Sequence, residues 1–185
     1  MLICATVTVP MHVSTDLGLE VEMTIVAVLK KVNEVIEKHK KESPVVIDLM
    51  RRLNDDNVNE HQRETIESLL STEFQTVLLQ NGVQEGVATR AAPIWARITD
   101  SDIHFAVTDR GSSIFVYFRC GSVRALYKLH GMITTGFVRV VFTEIIHSLT
   151  SSTPTVDVYV KPDDFDFVLS SLRSLQVTGL FWELK

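Results

Sequence analysis

Cysteine is scarce: Cys4 and Cys120 are the only two in 185 residues. Two distant thiols can neither build a disulfide framework nor supply a metal-ligand spacing, so reduced thiols in a reducing cytosol are expected. Long apolar runs are missing too, and none approaches the roughly 20 residues a membrane-spanning helix needs. The N-terminal stretch is apolar but has no basic segment, and Val7 and Val9 alternating with Thr6 and Thr8 suit a strand better than a secretory signal. Basic residues are outnumbered, 18 against 23 acidic, for a net charge of -5. Neutralising phosphates takes clustered Lys and Arg, so neither nucleic acid nor an anionic membrane is an expected partner. No glycine-rich phosphate loop and no Gly-x-Ser-x-Gly motif occurs.

What remains is a globular composition. Hydrophobic residues make up 45% and charged residues 22%, enough for one domain, residues 1–185, with a full core. Ile3 to Val9 reads as a first strand that Pro10 stops, since proline cannot donate to a ladder. Thr15 or Asp16 can cap the helix that follows, in which Ile25, Leu29, Val32 and Ile36 recur at helical spacing as far as about His39. Residues 43–92 read as an inserted helical pair. Ser43-Pro44 opens one helix, with Val46, Leu49, Met50 and Leu53 on a face. Ile66, Leu69, Leu70, Phe74, Val77 and Leu78 mark the inward face of the other, closed by Asn81-Gly82. Gly82 to Ala92 shows no period and reads as a loop, while 94–98 fits a short strand or an irregular packing piece equally well.

A hairpin is the clearest local signal. Ile103 to Thr108 and Ile114 to Arg119 flank a turn at Asp109-Arg110-Gly111-Ser112. Ser122 then caps a helix, bent at Gly131 and Gly136, that continues to Leu149. Val156, Val158 and Val160 alternate with polar neighbours as a half-buried strand. Pro162 opens a last helix with Phe165, Val168, Leu169, Leu172 and Leu175 inward, and the apolar tail 177–185 is expected to dock. The fold class is α+β: a two-layer sandwich with a four-stranded antiparallel sheet of split β-α-β (ferredoxin-like) order, helices on one face, and the insertion.

Catalytic signals are weak. His12, His39 and His61 fall in a loop or on polar helix faces, His104 in a strand, and His130 and His147 near helix ends; none has zinc spacing. Cys120 precedes a helix N-terminus, yet a buried structural cysteine is the simpler reading. Asp163, Asp164 and Asp166 suit the dipole of a helix start, as Lys38 to Lys41 suit a helix end. No enzyme, metal or cofactor is expected. The strand order is shared with RNA-recognition modules, which makes RNA binding the alternative function. Arg110 to Tyr117 would occupy their third-strand motif, but Ser112 and Ile114 stand where base-stacking aromatics belong, and Thr6 and Thr8 offer none on the first strand.

Three segments carry a family resemblance. Ala5 to Val9 with the helix around Met23 to Leu29, Ile114 to Gly121 with the helix from Leu126 to Leu149, and Val156 to Val160 with the helix from Asp163 together resemble the N-terminal domain of the TNF-receptor-associated death domain adaptors (TRADD). The match is one of pattern and order outside about residues 40–100. It implies a cytoplasmic, non-catalytic docking module in death-receptor or innate-immune signalling whose exposed sheet face binds a TRAF-type C-terminal domain. Carried over, the partner-binding positions are Thr6 and Thr8 on the first strand and Phe115, Tyr117 and Arg119 on the third. Thr6 and Thr8 depart from the family's aromatics. No death domain follows Lys185, so an excised domain or a stand-alone form is expected. Two occupants compete for the outer side of Phe115 and Tyr117: an external partner, and the chain's own insertion helices or Phe181-Trp182 tail.

Overall fold

The computed structural model describes residues 7–98, 103–109 and 114–182. In chain order the elements are β1 (Val7–Thr15), α1 (Leu19–Glu42), α2 (Pro44–Leu53), α3 (Glu60–Gln80), α4 (Glu85–Ile98), β2 (Ile103–Asp109), β3 (Ile114–Cys120), α5 (Val123–Thr134), α6 (Phe137–Thr150), β4 (Val156–Tyr159) and α7 (Pro162–Trp182). The strands form one antiparallel sheet in the order β2-β3-β1-β4. Helices α1 to α4 connect β1 to β2 across β3, and α5 and α6 connect β3 to β4 across β1.

Alternation fixes which side of the sheet is buried. Val9, Met11 and Val13 of β1 are buried with Ile114, Val116, Phe118 and Cys120 of β3, and the register places Val9 opposite Phe118 and Met11 opposite Val116. Strand β1 runs straight through Pro10, where the sequence placed a stop. Pro10 faces Tyr117 in β3, and β4 pairs only with His12 to Thr15. A missing N–H does no harm where one flank of the strand has no ladder. The first strand therefore runs past its expected end at Val9 to Thr15; residues 3–6, Thr6 included, lie outside the described residues, and His12, expected in a loop, is a strand residue.

Helix α1 buries Ile25, Leu29, Val32 and Ile36 as its period requires. Its N-cap is Gly18 rather than Thr15 or Asp16. Those two side chains act nearby instead. Thr15 Oγ1 donates to the buried Glu22 carboxylate at 2.9 Å, and Asp16 Oδ1 accepts from the Thr155 backbone at 3.1 Å, tying the α1 entry to the start of β4. Ser43 caps α2 by accepting from Val46 N–H. Asn59 and Gln62 form a reciprocal capping box at the start of α3. At its end, Gly82 adopts φ +74, which a side chain would resist, and Val83 N–H closes onto Leu78 O at 3.0 Å.

Three segments differ from expectation. The stretch expected as a loop followed by an undecided 94–98 piece is the single helix α4, which buries Val87, Ala88, Ala91, Ala92, Ile94, Trp95, Ala96 and Ile98. Segment 43–92 thus holds α2, α3 and most of α4, not a helical pair, and these helices share one buried cluster with the sheet. The α5–α6 bend falls at Gly136 alone, where φ is +77, and turns the chain by 61°. Gly131 stays inside α5. Among the described residues no single helix is long and apolar enough to cross a membrane. Helix α7 buries Val168 and Leu172 against the core but leaves Leu175 exposed, contrary to the expected inward stripe, and it is helical through Trp182. The side chains of 177–182 lie outside the described residues.

A polar bracket locks the outer strand to the helices. Asn33 of α1 donates from Nδ2 to Phe105 O of β2 at 3.2 Å, while its Oδ1 accepts from Trp95 Nε1 of α4 at 3.2 Å. Around it, Phe105 packs on Trp95 and edge-on to Phe118, with ring centroids 4.6 and 5.3 Å apart. Phe118→Ala removes a fully buried ring from this cluster, with an expected loss of about 3–5 kcal/mol read by chemical denaturation.

Candidate functional site

The sheet face opposite the buried one carries Thr8, Pro10, His12 and Ser14 on β1, Phe115, Tyr117 and Arg119 on β3, His104 on β2, and Asp157 and Tyr159 on β4. None of these is buried. Period-two alternation alone produces this division, because each inward Val, Ile or Phe sends its neighbour to the other side.

Cross-strand register sorts the face into rows. Thr8, Arg119 and His104 stand side by side across β1, β3 and β2, and Pro10 adjoins Tyr117. The next row is aromatic. Phe115 faces His12, and His12 faces Tyr159 on its other flank. The His12 imidazole meets Phe115 edge-on at 4.3 Å between centroids and lies flat on Tyr159 at 5.1 Å, with an interplanar angle of 8°. These are favourable aromatic geometries, and they line up rings from three strands in one band. Tyr159 is 47% exposed at the end of the band, while Phe115 and Tyr117 are half-buried among their neighbours.

Of the positions chosen from sequence, Thr8, Phe115, Tyr117 and Arg119 share this face, and Thr6 lies outside the described residues. His12, Pro10 and Tyr159 were missed. Reading Pro10 as a stop hid His12. Tyr159 was visible as an outward strand position, but nothing local says that β4 lies beside β1 with Tyr159 at His12.

The remaining sequence candidates are dispersed. Cys120 is buried on the inner face. His147 Nδ1 lies 2.6 Å from Ser152 O, and His130 packs on Phe165 with centroids 4.6 Å apart. His39 Nε2 is 4.0 Å from the Glu73 carboxylate beside a cleft of about 330 Å³ between α1 and α3. Asp163 and Asp164 occupy the first turn of α7. Among the described residues no group of three or more His, Cys, Asp or Glu side chains is placed to hold a metal.

A second, larger cleft of about 600 Å³ opens between α3, α4 and α5. Glu67 of α3 reaches into it, 3.7 Å from Arg97 Nε of α4 and 3.8 Å from Lys128 Nζ of α5. The Arg97 guanidinium lies over the Phe137 ring, 4.5 Å from its centroid, a cation–π contact that fixes its plane. Burial pushes the Glu67 carboxyl above the usual range, against the opposing pull of Lys128, Arg97 and Arg63.

No protein-family model, no curated protein and no solved structure matches this chain.

A raised Glu67 pKa has a definite signature in stability. Between the unfolded and the folded pKa the folded protein holds more protons, so stability is full below that interval and falls as pH rises through it. Glu67→Gln removes the titration. Its thermal midpoint, compared with that of the parent, is expected to gain steadily as pH rises from the acid side of the carboxylate range to neutrality. A difference that is constant with pH contradicts the burial effect.

Proposed function

We propose that this chain is a non-catalytic, adaptor-type interaction domain that docks a protein partner on its outer sheet face. The observation that supports it is the aromatic band of Phe115, His12 and Tyr159, flanked by Tyr117 and Arg119, on a face that no other described element buries. Aromatic and Arg side chains are the types enriched where partners bind, and rings already held in place by cross-strand neighbours lose little entropy on docking. The order β2-β3-β1-β4, with helical connections joining β1 to β2 and β3 to β4, fits a split β-α-β sandwich of ferredoxin-like topology. That arrangement and the resemblance to TRADD N-terminal domains support a cytoplasmic role in death-receptor or innate-immune signalling, with a TRAF-type C-terminal domain as the first partner to test. The departure at Thr8, which stands beside Arg119 rather than adding a ring, points to a partner contacting the Phe115–Tyr159 end of the face.

A second reading, single-stranded RNA binding, is favoured by the same band, since His12 on the first strand and Phe115 and Tyr117 on the third occupy a platform on which bases stack in modules of this topology. The acidic balance of the chain and the sparse cations on the face weigh against it.

Phe115→Ala and Tyr117→Ala are each expected to weaken capture of a TRAF-type C-terminal domain by roughly tenfold or more while leaving the thermal midpoint nearly unchanged. Large stability losses in both would mark the rings as core and end the docking proposal. Oligonucleotide binding that weakens steeply with salt and is lost in the same variants would replace the protein partner with RNA.

A further inference from the structure

We propose that the cleft between α3, α4 and α5 is a binding site for a small molecule or headgroup bearing clustered phosphates, and that Glu67 occupies it as an internal stand-in for the ligand's negative charge. Four basic side chains, Arg63, Arg97, Arg124 and Lys128, line the cleft, supplied by three different helices. Such convergence is unusual in a chain whose net charge is -5. Arg63 and Arg124 make no ion pair among the described residues, although carboxylates stand close by. Arg97 and Lys128 meet Glu67 at 3.7 and 3.8 Å. Both separations are longer than the roughly 2.7–2.9 Å of a charge-assisted hydrogen bond. Glu67 therefore compensates the Arg97 charge without saturating its guanidinium, and an anion with more oxygens can approach that group more closely.

The class of ligand follows from shape and chemistry. The guanidinium forks of Arg97 and Arg124 favour phosphate, which accepts paired hydrogen bonds in the plane that Arg presents. A cleft of about 600 Å³ has room for a small organic ligand rather than one ion, on the scale of ordinary ligand pockets. Glu60 and Glu64 line the same cleft from α3, so the anion belongs on the opposite wall, where Arg97, Arg124 and Lys128 of α4 and α5 stand. Phe137 holds the Arg97 guanidinium in place beneath it, and the half-exposed Tyr127 flanks the opening. Entry of the ligand displaces the Glu67 carboxylate from between Arg97 and Lys128.

Calorimetric titration of the full chain with inorganic pyrophosphate and with inositol hexakisphosphate tests the proposal. Co-sedimentation with phosphatidylcholine vesicles, with and without phosphatidylinositol bisphosphate, runs in parallel. Binding of the soluble probes alone identifies a free phosphate compound, and binding of the doped vesicles identifies a lipid headgroup; either supports the site. Arg124→Glu, at an exposed position with no ion pair among the described residues to lose, is expected to weaken binding by roughly tenfold or more with an unchanged thermal midpoint. Glu67→Gln is expected to tighten it, the reverse of what a merely structural ion pair predicts. Failure of every probe to bind at low salt overturns the proposal. So does binding that is indifferent to Arg124→Glu and Glu67→Gln, which would place the anion elsewhere.

Discussion

The register between β1 and β3 is the constraint on which the rest of the molecule depends. Pairing Val9 with Phe118 and His12 with Phe115 sends one set of side chains into the core and the other to the outer face. A slip of a single residue would exchange the two sets. The register is held by fully buried residues on both strands, Met11, Val13, Val116 and Phe118 among them, so the hydrophobic cost of a slip falls on every inward position at once. The outer aromatic band is in this sense a by-product of the core: its rings line up because their inward neighbours have no alternative.

Much of this was legible in the amino-acid sequence. The pairing of β2 with β3, whose expected turn at 110–112 lies outside the described residues, the alternation in the last strand and the course of α1 follow from period, and α2 and α5 from period and caps that act within a few residues. Ser43 and Ser122 cap where their sequence context places them. Helix α4 was not legible, because four of its eight buried residues are alanines and Pro93 sits inside it. Small side chains give a weak periodic signal while allowing the helix to pack closely against α3, and Ala's helical preference is invisible when period is judged by large apolar residues. Pro10 misled for a different reason. Proline breaks a strand only where its missing donor is needed, and that depends on a neighbour, β4, some 145 residues away in the chain.

The face was partly legible and the cleft was not. Phe115, Tyr117 and Arg119 follow from alternation within one strand, whereas the union of His12 with Phe115 and Tyr159 needs three strands placed side by side. The charged cleft draws Arg63 and Glu67 from α3, Arg97 from α4, and Arg124 and Lys128 from α5, and no spacing along the chain announces such a meeting. The helices of 43–98 carry two of its walls, so a segment that reads as an insertion also builds this recess.

The Asn33 bracket has a bearing on self-association. An outermost strand such as β2 offers its outward carbonyls and amides to any passing extended chain. Here α1 lies against that strand, and the Asn33 amide already occupies the Phe105 carbonyl. Growth of the sheet by addition of a further strand is obstructed on this flank.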